Sequence, residues 1–138
     1  EAITKNMSDH SINTNYIEKI DGVPTGIATI IVAEEDNIIV IVKGANNAVT
    51  VNYVQKNLNV LEDADMVIMQ LEIPLETVEF VTDYCYEKGI SVILNPAPAA
   101  KLPKEVFGLC DFITPNETET EALTGLPVRN EKEAETAA

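Results

Sequence analysis

The fold of this chain is decided by residues 66–95, which read MVIMQLEIPLETVEFVTDYCYEKGISVILN. The apolar run Met66–Leu71 predicts a strand, and a helix is predicted over Pro74–Lys88, because proline suits a first helical turn and Gly89 suits a helix end. A second apolar run, Ser91–Leu94, follows directly. Strands and helices that alternate at these lengths predict a parallel sheet with helices on its faces.

The same alternation extends on both sides of this stretch. Downstream, the sequence predicts a short helix near Glu105–Leu109, a strand over Asp111–Thr114 and a helix over Glu117–Thr124 that stops at Gly125. Upstream, Thr50 is the expected N-cap of a short helix that continues to residue 57. The chain therefore belongs to the α/β class.

Two runs rich in β-branched residues, Ile27–Val32 and Ile38–Val42, are joined by the acidic turn Glu34–Asn37 and predict a β-hairpin. Neither face is polar, so we expect both faces to be covered. Two arrangements stay open: central strands of the main sheet, or a small accessory sheet between a ligand and a partner subunit. Before the hairpin, the sequence predicts a helix tail over Glu1–Met7 and an extended segment around Tyr16–Ile20.

Composition limits the classes of function. The chain has 138 residues and a formal charge of −14, from 23 acidic and 9 basic residues, which argues against a nucleic-acid or anionic-membrane partner. It has no apolar run of about 18 residues and no secretory signal pattern, so we expect a cytoplasmic protein. Cys85 and Cys110 form no CxxC pair, and free thiols are the simplest interpretation.

Polar residues stand where each of the three predicted strands ends. Glu72 follows the first strand, Asn95 the second, and Asn116 and Glu119 the third. In open α/β sheets ligands bind at the carboxyl ends of the strands, so these residues predict a site along one rim. Alternatively, Glu72 and Asn116 simply cap or solvate the helix starts that follow them.

Five short segments resemble, in order and spacing, those of the ribokinases in the carbohydrate kinase PfkB family. They are Pro24-Thr25-Gly26, Gly44-Ala45-Asn46, Gln70-Leu71-Glu72, Asn95–Ala99 and Thr114–Glu119. The resemblance implies a three-layer, Rossmann-like (ribokinase-like) parallel sheet flanked by helices, with a small β-hairpin lid, of which this chain holds only part. It divides the chain into a helix tail and connector (1–20), the lid hairpin (21–46) and part of the α/β kinase core (47–138).

The resemblance also implies roles for the rim residues. Glu72 matches the acidic residue that hydrogen-bonds the sugar hydroxyls, Asn116 matches an ATP contact, and Glu119 matches an acidic residue that acts on magnesium through water. Asn95 matches a loop-shaping position, with nucleotide or substrate contact as the alternative. Lys43 stands where these kinases usually have proline, and we expect it to alter the lid hinge without touching a catalytic role.

The implied reaction is ATP-dependent phosphorylation of D-ribose to ribose 5-phosphate by the full-length protein, with Mg²⁺ bound to ATP and a monovalent cation such as K⁺. The implied partners are ribose or a related sugar, ATP, and a second copy bound through the lid sheet. Two alternatives stay open. One is another PfkB-type kinase, for fructose, a nucleoside or pseudouridine, and the other is a non-catalytic binding or assembly remnant.

No residue of this chain is assigned a catalytic role. Phosphoryl transfer needs the attacking hydroxyl activated and the developing charge neutralised, tasks that the family gives to a Gly-Ala-Gly-Asp segment, and the chain has none. Both ends resemble cuts, and the last residues, Asn130–Ala138, predict a helix without a capping or stop residue. We therefore expect the 138-residue chain alone to be inactive.

Overall fold

The computed structural model describes residues 2–33 and 36–138, so Glu34 and Glu35 of the predicted acidic turn lie outside the described residues. The elements, in chain order, are α1 (Ala2–Asp9), β1 (Ile27–Ala33), β2 (Asp36–Val42), a 3-10 helix (Gly44–Ala48), α2 (Val51–Gln55), α3 (Leu58–Glu62), β3 (Met66–Gln70), α4 (Leu75–Lys88), β4 (Ser91–Asn95), α5 (Lys104–Gly108), β5 (Phe112–Ile113), α6 (Glu117–Thr124) and α7 (Glu131–Ala137).

Strands β3, β4 and β5 form a parallel sheet in that order, which confirms the predicted α/β class. Helix α4 connects β3 to β4 and ends at Gly89, as predicted. Helix α6 runs from Glu117 to Thr124, the predicted range, and ends at Gly125.

The core lies between α4 and one face of this sheet. Alternating strand residues point to opposite faces, and Val92 and Leu94 are fully buried while Ile68 on β3 is 70% exposed. The buried cluster comprises Met69, Leu71, Val78, Val81, Cys85, Val92 and Leu94. Burial of these side chains holds the helix on the sheet and fixes where each strand ends.

The hairpin is a separate two-stranded sheet, so the first arrangement considered for it, central strands of the main sheet, is wrong. Its strands pair antiparallel, with Ile30 opposite Ile39 and Ile31 opposite Ile38. These four side chains are between 52% and 64% exposed, so apolar groups face outward on both sides of the hairpin within this chain.

Three local features differ from what was predicted. The extended segment Tyr16–Ile20 joins neither sheet; the Tyr53 hydroxyl donates to the main-chain oxygen of Tyr16. The short helix predicted from Thr50 is present as α2, but a second short helix, α3, follows it after Asn57 and was not predicted. Helix α7 is capped after all, by the Asn130 side chain, which accepts from the N–H of Glu133. Among the described helices, none is both long and apolar enough to cross a bilayer.

Candidate functional site at the carboxyl ends of the strands

The sheet brings the predicted rim residues to one edge. Gln70 pairs with Asn95 across β3 and β4, and Leu94 pairs with Ile113 across β4 and β5. The three strands are parallel, so the residues that follow them emerge at the same edge. Glu72 lies two residues beyond β3 in this arrangement.

Asn95 joins the three strand ends. Its amide nitrogen donates to the main-chain oxygen of Thr114 at 2.9 Å and lies 3.3 Å from the Thr114 hydroxyl. The Gln70 amide nitrogen lies 3.5 Å from the Asn95 side-chain oxygen. These contacts are those of a loop-shaping residue, while a direct ligand contact by Asn95 stays a prediction.

Glu72 is half-buried in the loop between β3 and α4. Asn46 Nδ2 lies 3.5 Å from Glu72 Oε2, and the N–H of the preceding Leu71 donates to the carbonyl oxygen of Ala97 at 2.9 Å. Helix α4 begins after Pro74 without a side-chain cap, so Glu72 does not cap it. Its carboxylate therefore has lone pairs available for hydroxyl donors.

Lys43, directly after β2, reaches the same loop. Its ammonium donates to the carbonyl oxygen of Leu71 at 2.9 Å and lies 3.4 Å from that of Ile73, the residues on either side of Glu72. Sequence reasoning assigned no contact to Lys43 or Asn46. For Lys43 the signal was its place where the similar kinases usually have proline, and for Asn46 it was the quoted Gly-Ala-Asn segment.

Two glycines allow the two ends of the hairpin, Pro24–Gly26 and Lys43–Asn46, to approach each other closely. We call these two segments together the hairpin base. A Cβ at Gly44, whose φ is +52°, would lie 2.4 Å from the Pro24 carbonyl oxygen, and one at Gly26 would lie 2.8 Å from the Lys43 carbonyl oxygen. The N–H of Ala45 donates to that Pro24 oxygen at 2.9 Å. The backbones at the two ends of the hairpin are thus in contact. Only glycine fits at these two positions.

Asn116 and Glu119 form a capping box at the start of α6. The Asn116 side-chain oxygen accepts from the N–H of Glu119 at 2.8 Å, and a Glu119 carboxylate oxygen accepts from the N–H of Asn116 at 2.9 Å. The second carboxylate oxygen accepts from the Asn116 amide at 3.2 Å. The capping alternative is therefore present at Asn116, and it places both side chains beside the rim.

The magnesium role predicted for Glu119 fits this geometry if the carboxylate contacts the ion through water and not directly. Glu119 is buried, with 8% of the residue exposed, and each carboxylate oxygen already accepts one hydrogen bond. A carboxylate has about four acceptor positions, so those that remain can receive hydrogen bonds from metal-bound water. Within residues 2–33 and 36–138, no three His, Cys, Asp or Glu side chains form a cluster that could hold a metal.

Groups with displaced pKa values lie at the opposite edge of the sheet, near the amino ends of the strands. The Tyr84 hydroxyl and the Lys88 ammonium lower the pKa of Glu62, and the hydrogen bond to Glu62 raises the pKa of Tyr84. Burial raises the pKa of the Cys85 and Cys110 thiols, both of which are free. A higher thiol pKa means less reactive thiolate, in accord with unreactive cysteines.

Comparison with known proteins identifies the relatives of this chain. The model of the pfkB family carbohydrate kinases matches residues 1–138. Ribokinase from Bacillus subtilis is 43% identical over 122 residues, which cover 88% of this chain and 42% of the relative. Deoxyribokinase from Salmonella typhimurium is 40% identical over 126 residues, or 90% of this chain and 41% of the relative.

Solved structures agree with this result. A structure of Arabidopsis thaliana ribokinase complexed with ribose and ATP is 30% identical and superposes with a TM-score of 0.77 over 91% of this chain and 41% of its own. The crystal structure of Sa239 is 37% identical, with a TM-score of 0.87 over 99% of this chain and 46% of its own. The chain thus spans less than half the length of these relatives, and it belongs to the pfkB family of carbohydrate kinases.

Proposed function

We propose that the protein containing this chain transfers the γ-phosphoryl group of ATP to D-ribose and releases ribose 5-phosphate. The observation that carries the proposal is the Glu72 carboxylate, held at the strand-end rim with Asn46 at 3.5 Å, in a chain 43% identical to a ribokinase. The related ribokinase structure with ribose and ATP supports a sugar and a nucleotide as the two substrates.

Glu72 has the chemistry needed for a sugar. A carboxylate accepts hydrogen bonds from two neighbouring hydroxyls, and such charge-assisted bonds are stronger than neutral ones. The exposed apolar side chains on one face of the hairpin can cover the bound sugar and exclude water. Glu72 would bind and orient the sugar, and the hairpin would close over it.

Asn116 and Glu119 would serve the nucleotide end of the site. The capping box leaves part of the Asn116 amide and of the Glu119 carboxylate available beside the first turn of α6. Asn116 would contact ATP, and Glu119 would accept from the water shell of magnesium. The magnesium ion that accompanies ATP neutralises charge on the phosphate oxygens when it is bound.

The base that activates the sugar hydroxyl would come from outside these 138 residues, which contain no Gly-Ala-Gly-Asp segment. We therefore propose that this chain alone does not catalyse the reaction. Sugar-dependent ADP formation by the purified 138-residue chain, at a rate near that of a complete kinase, would overturn this part of the proposal.

The proposal includes a homodimer and a cytoplasmic location. The hairpin exposes apolar side chains on both faces, and one face can cover the sugar while the other packs on the hairpin of a second copy. The free thiols of Cys85 and Cys110 suit a reducing compartment such as the cytoplasm. Dependence of the activity on a monovalent cation is expected from the family resemblance alone.

The test is a coupled ADP assay of the complete gene product with ribose, deoxyribose, fructose, nucleosides and pseudouridine, each with and without K⁺. The largest kcat/KM for ribose supports the proposal. A larger value for deoxyribose would favour the second candidate, which the 40% identity to a deoxyribokinase supports. No turnover with any of these acceptors would favour the non-catalytic alternative.

A further inference from the structure

Lys43 connects the base of the hairpin to the loop that carries Glu72. Its ammonium lies 2.9 Å from the Leu71 carbonyl oxygen and 3.4 Å from the Ile73 carbonyl oxygen. Residue 43 is 28 residues from the first partner and 30 from the second, and all three are at least partly buried. The contact therefore bridges two parts of the fold and is not a local turn.

The two acceptors bracket Glu72. The Leu71 carbonyl belongs to the peptide group that precedes Glu72, and the Ile73 carbonyl belongs to the peptide group between Ile73 and Pro74. Holding both fixes the loop backbone before and after Glu72, and so restricts the direction in which the Glu72 side chain leaves the backbone. Asn46, three residues after Lys43, contacts the Glu72 carboxylate itself at 3.5 Å. The hairpin base therefore holds both the backbone and the carboxylate of Glu72.

We propose that Lys43 is a positioning residue that couples the hairpin to Glu72, so that the position of the hairpin determines how well the carboxylate is aimed at the sugar. The inference rests on the proposed function, because it takes Glu72 as the sugar contact. The proposal does not place Lys43 on the sugar itself. It acts through the two carbonyl groups.

The test compares Lys43→Met with Lys43→Arg in the complete gene product. Methionine keeps most of the apolar stem and removes the donors, whereas arginine restores a charged donor. Lys56→Met, at an exposed lysine that ends α2, is the matched control. A hydrogen bond from a charged group typically changes an equilibrium by about tenfold or more, so we expect Lys43→Met to raise the KM for the sugar about tenfold.

A positioning role predicts a specific pattern. The KM for ATP and kcat should stay within about twofold of the parent, Lys43→Arg should recover most of the sugar KM, and Lys56→Met should match the parent. An unchanged sugar KM in Lys43→Met would overturn the inference. So would an equal loss for both substrates with a lower melting temperature, which indicates general destabilisation.

Hydrogen exchange of residues 71–76 separates failure of this inference from failure of the proposed function. If the parent phosphorylates none of the acceptors, the proposed function fails, and exchange still tests the coupling without a substrate. Lys43→Met is expected to speed exchange in residues 71–76 and not in α6. Unchanged exchange in residues 71–76 would overturn the coupling, whatever the protein phosphorylates.

Discussion

Asn116 and Glu119 satisfy each other at the start of α6, because each side chain accepts a hydrogen bond from the main-chain N–H of the other, at 2.8 and 2.9 Å. The pair therefore has two roles. It stabilises the first turn of a helix, and in the proposed function it lies at the nucleotide end of the site.

Asn116→Ser separates these functions. Serine is nearly as good an N-cap as asparagine, so the free energy of unfolding should change by less than about 1 kcal/mol, while loss of the amide should raise the KM for ATP. Asn116→Ala should lose both, with about 1 kcal/mol less stability. Thermal denaturation and ATP titrations of the two variants measure the two effects.

The chain offers a matched control at the start of α7. Asn130 also accepts from the N–H of the residue three positions later, at 3.0 Å, but it follows no strand of the sheet. Asn130→Ala should lower stability by about the same amount as Asn116→Ala and leave the KM for ATP unchanged. An Asn116→Ser variant with the KM of the parent would remove Asn116 from the nucleotide site.

Glu72→Gln tests the sugar contact. The substitution keeps the shape and removes the charge, and a hydrogen bond to a charged group contributes roughly 1.5–3 kcal/mol, so the KM for ribose should rise about tenfold or more. The KM for ATP should not change. Glu76→Gln, at an exposed position in the first turn of α4, should have no effect on either constant. Equal sugar KM values in both variants would exclude Glu72 as the contact.

Local signals explain why part of the fold could be predicted from the sequence. Glycine ends α4 at Gly89 and α6 at Gly125, and both predicted ends are correct. The rim could be predicted because it depends on strand direction alone, which the alternation of strands and helices determines.

Contacts between distant segments could not be predicted in this way. The bonds from Lys43 to the Glu72 loop require the hairpin to be placed against β3, and no local pattern gives that placement. Helix α3 was not predicted, and no glycine or proline separates it from α2. The cap at Asn130 is different, because asparagine followed three positions later by Glu133 is a recognisable N-terminal signal.

The Glu62, Tyr84 and Lys88 cluster predicts a pH dependence of stability. The Tyr84 hydrogen bond is the main cause of the lowered Glu62 pKa. A carboxyl whose folded pKa lies below its ordinary 4.5 stabilises the fold above that pH, and this contribution is lost as the pH falls through the folded value. The parent should therefore lose more stability than Tyr84→Phe between about pH 7 and about pH 3.

The effect should be small and sensitive to salt, because Glu62 and Lys88 are exposed to solvent and Tyr84 is only half-buried. Melting temperatures at low and high ionic strength measure it. Tyr86→Phe, two residues along the same helix and 64% exposed, is the control and should follow the parent at every pH. Parallel pH curves for the parent and Tyr84→Phe would contradict the prediction.

Substitutions at Ile38 and Ile39 test whether the two faces of the hairpin have different partners. Adjacent strand residues point to opposite faces, and these two side chains are 64% and 52% exposed. In the proposed function one face covers the sugar and the other packs on a second copy. A charge placed on each face in turn, as Ile38→Asp and Ile39→Asp, should therefore produce two different defects.

One variant should weaken the dimer, with a dissociation constant raised by about tenfold or more, because an unpaired carboxylate would be buried in the interface. The other should remain dimeric and show a higher KM for the sugar. Ile12→Asp, an apolar position 54% exposed in the connector, should change neither property. Sedimentation and sugar titrations measure both, and two variants with the same defect would show that the two faces do not have separate roles.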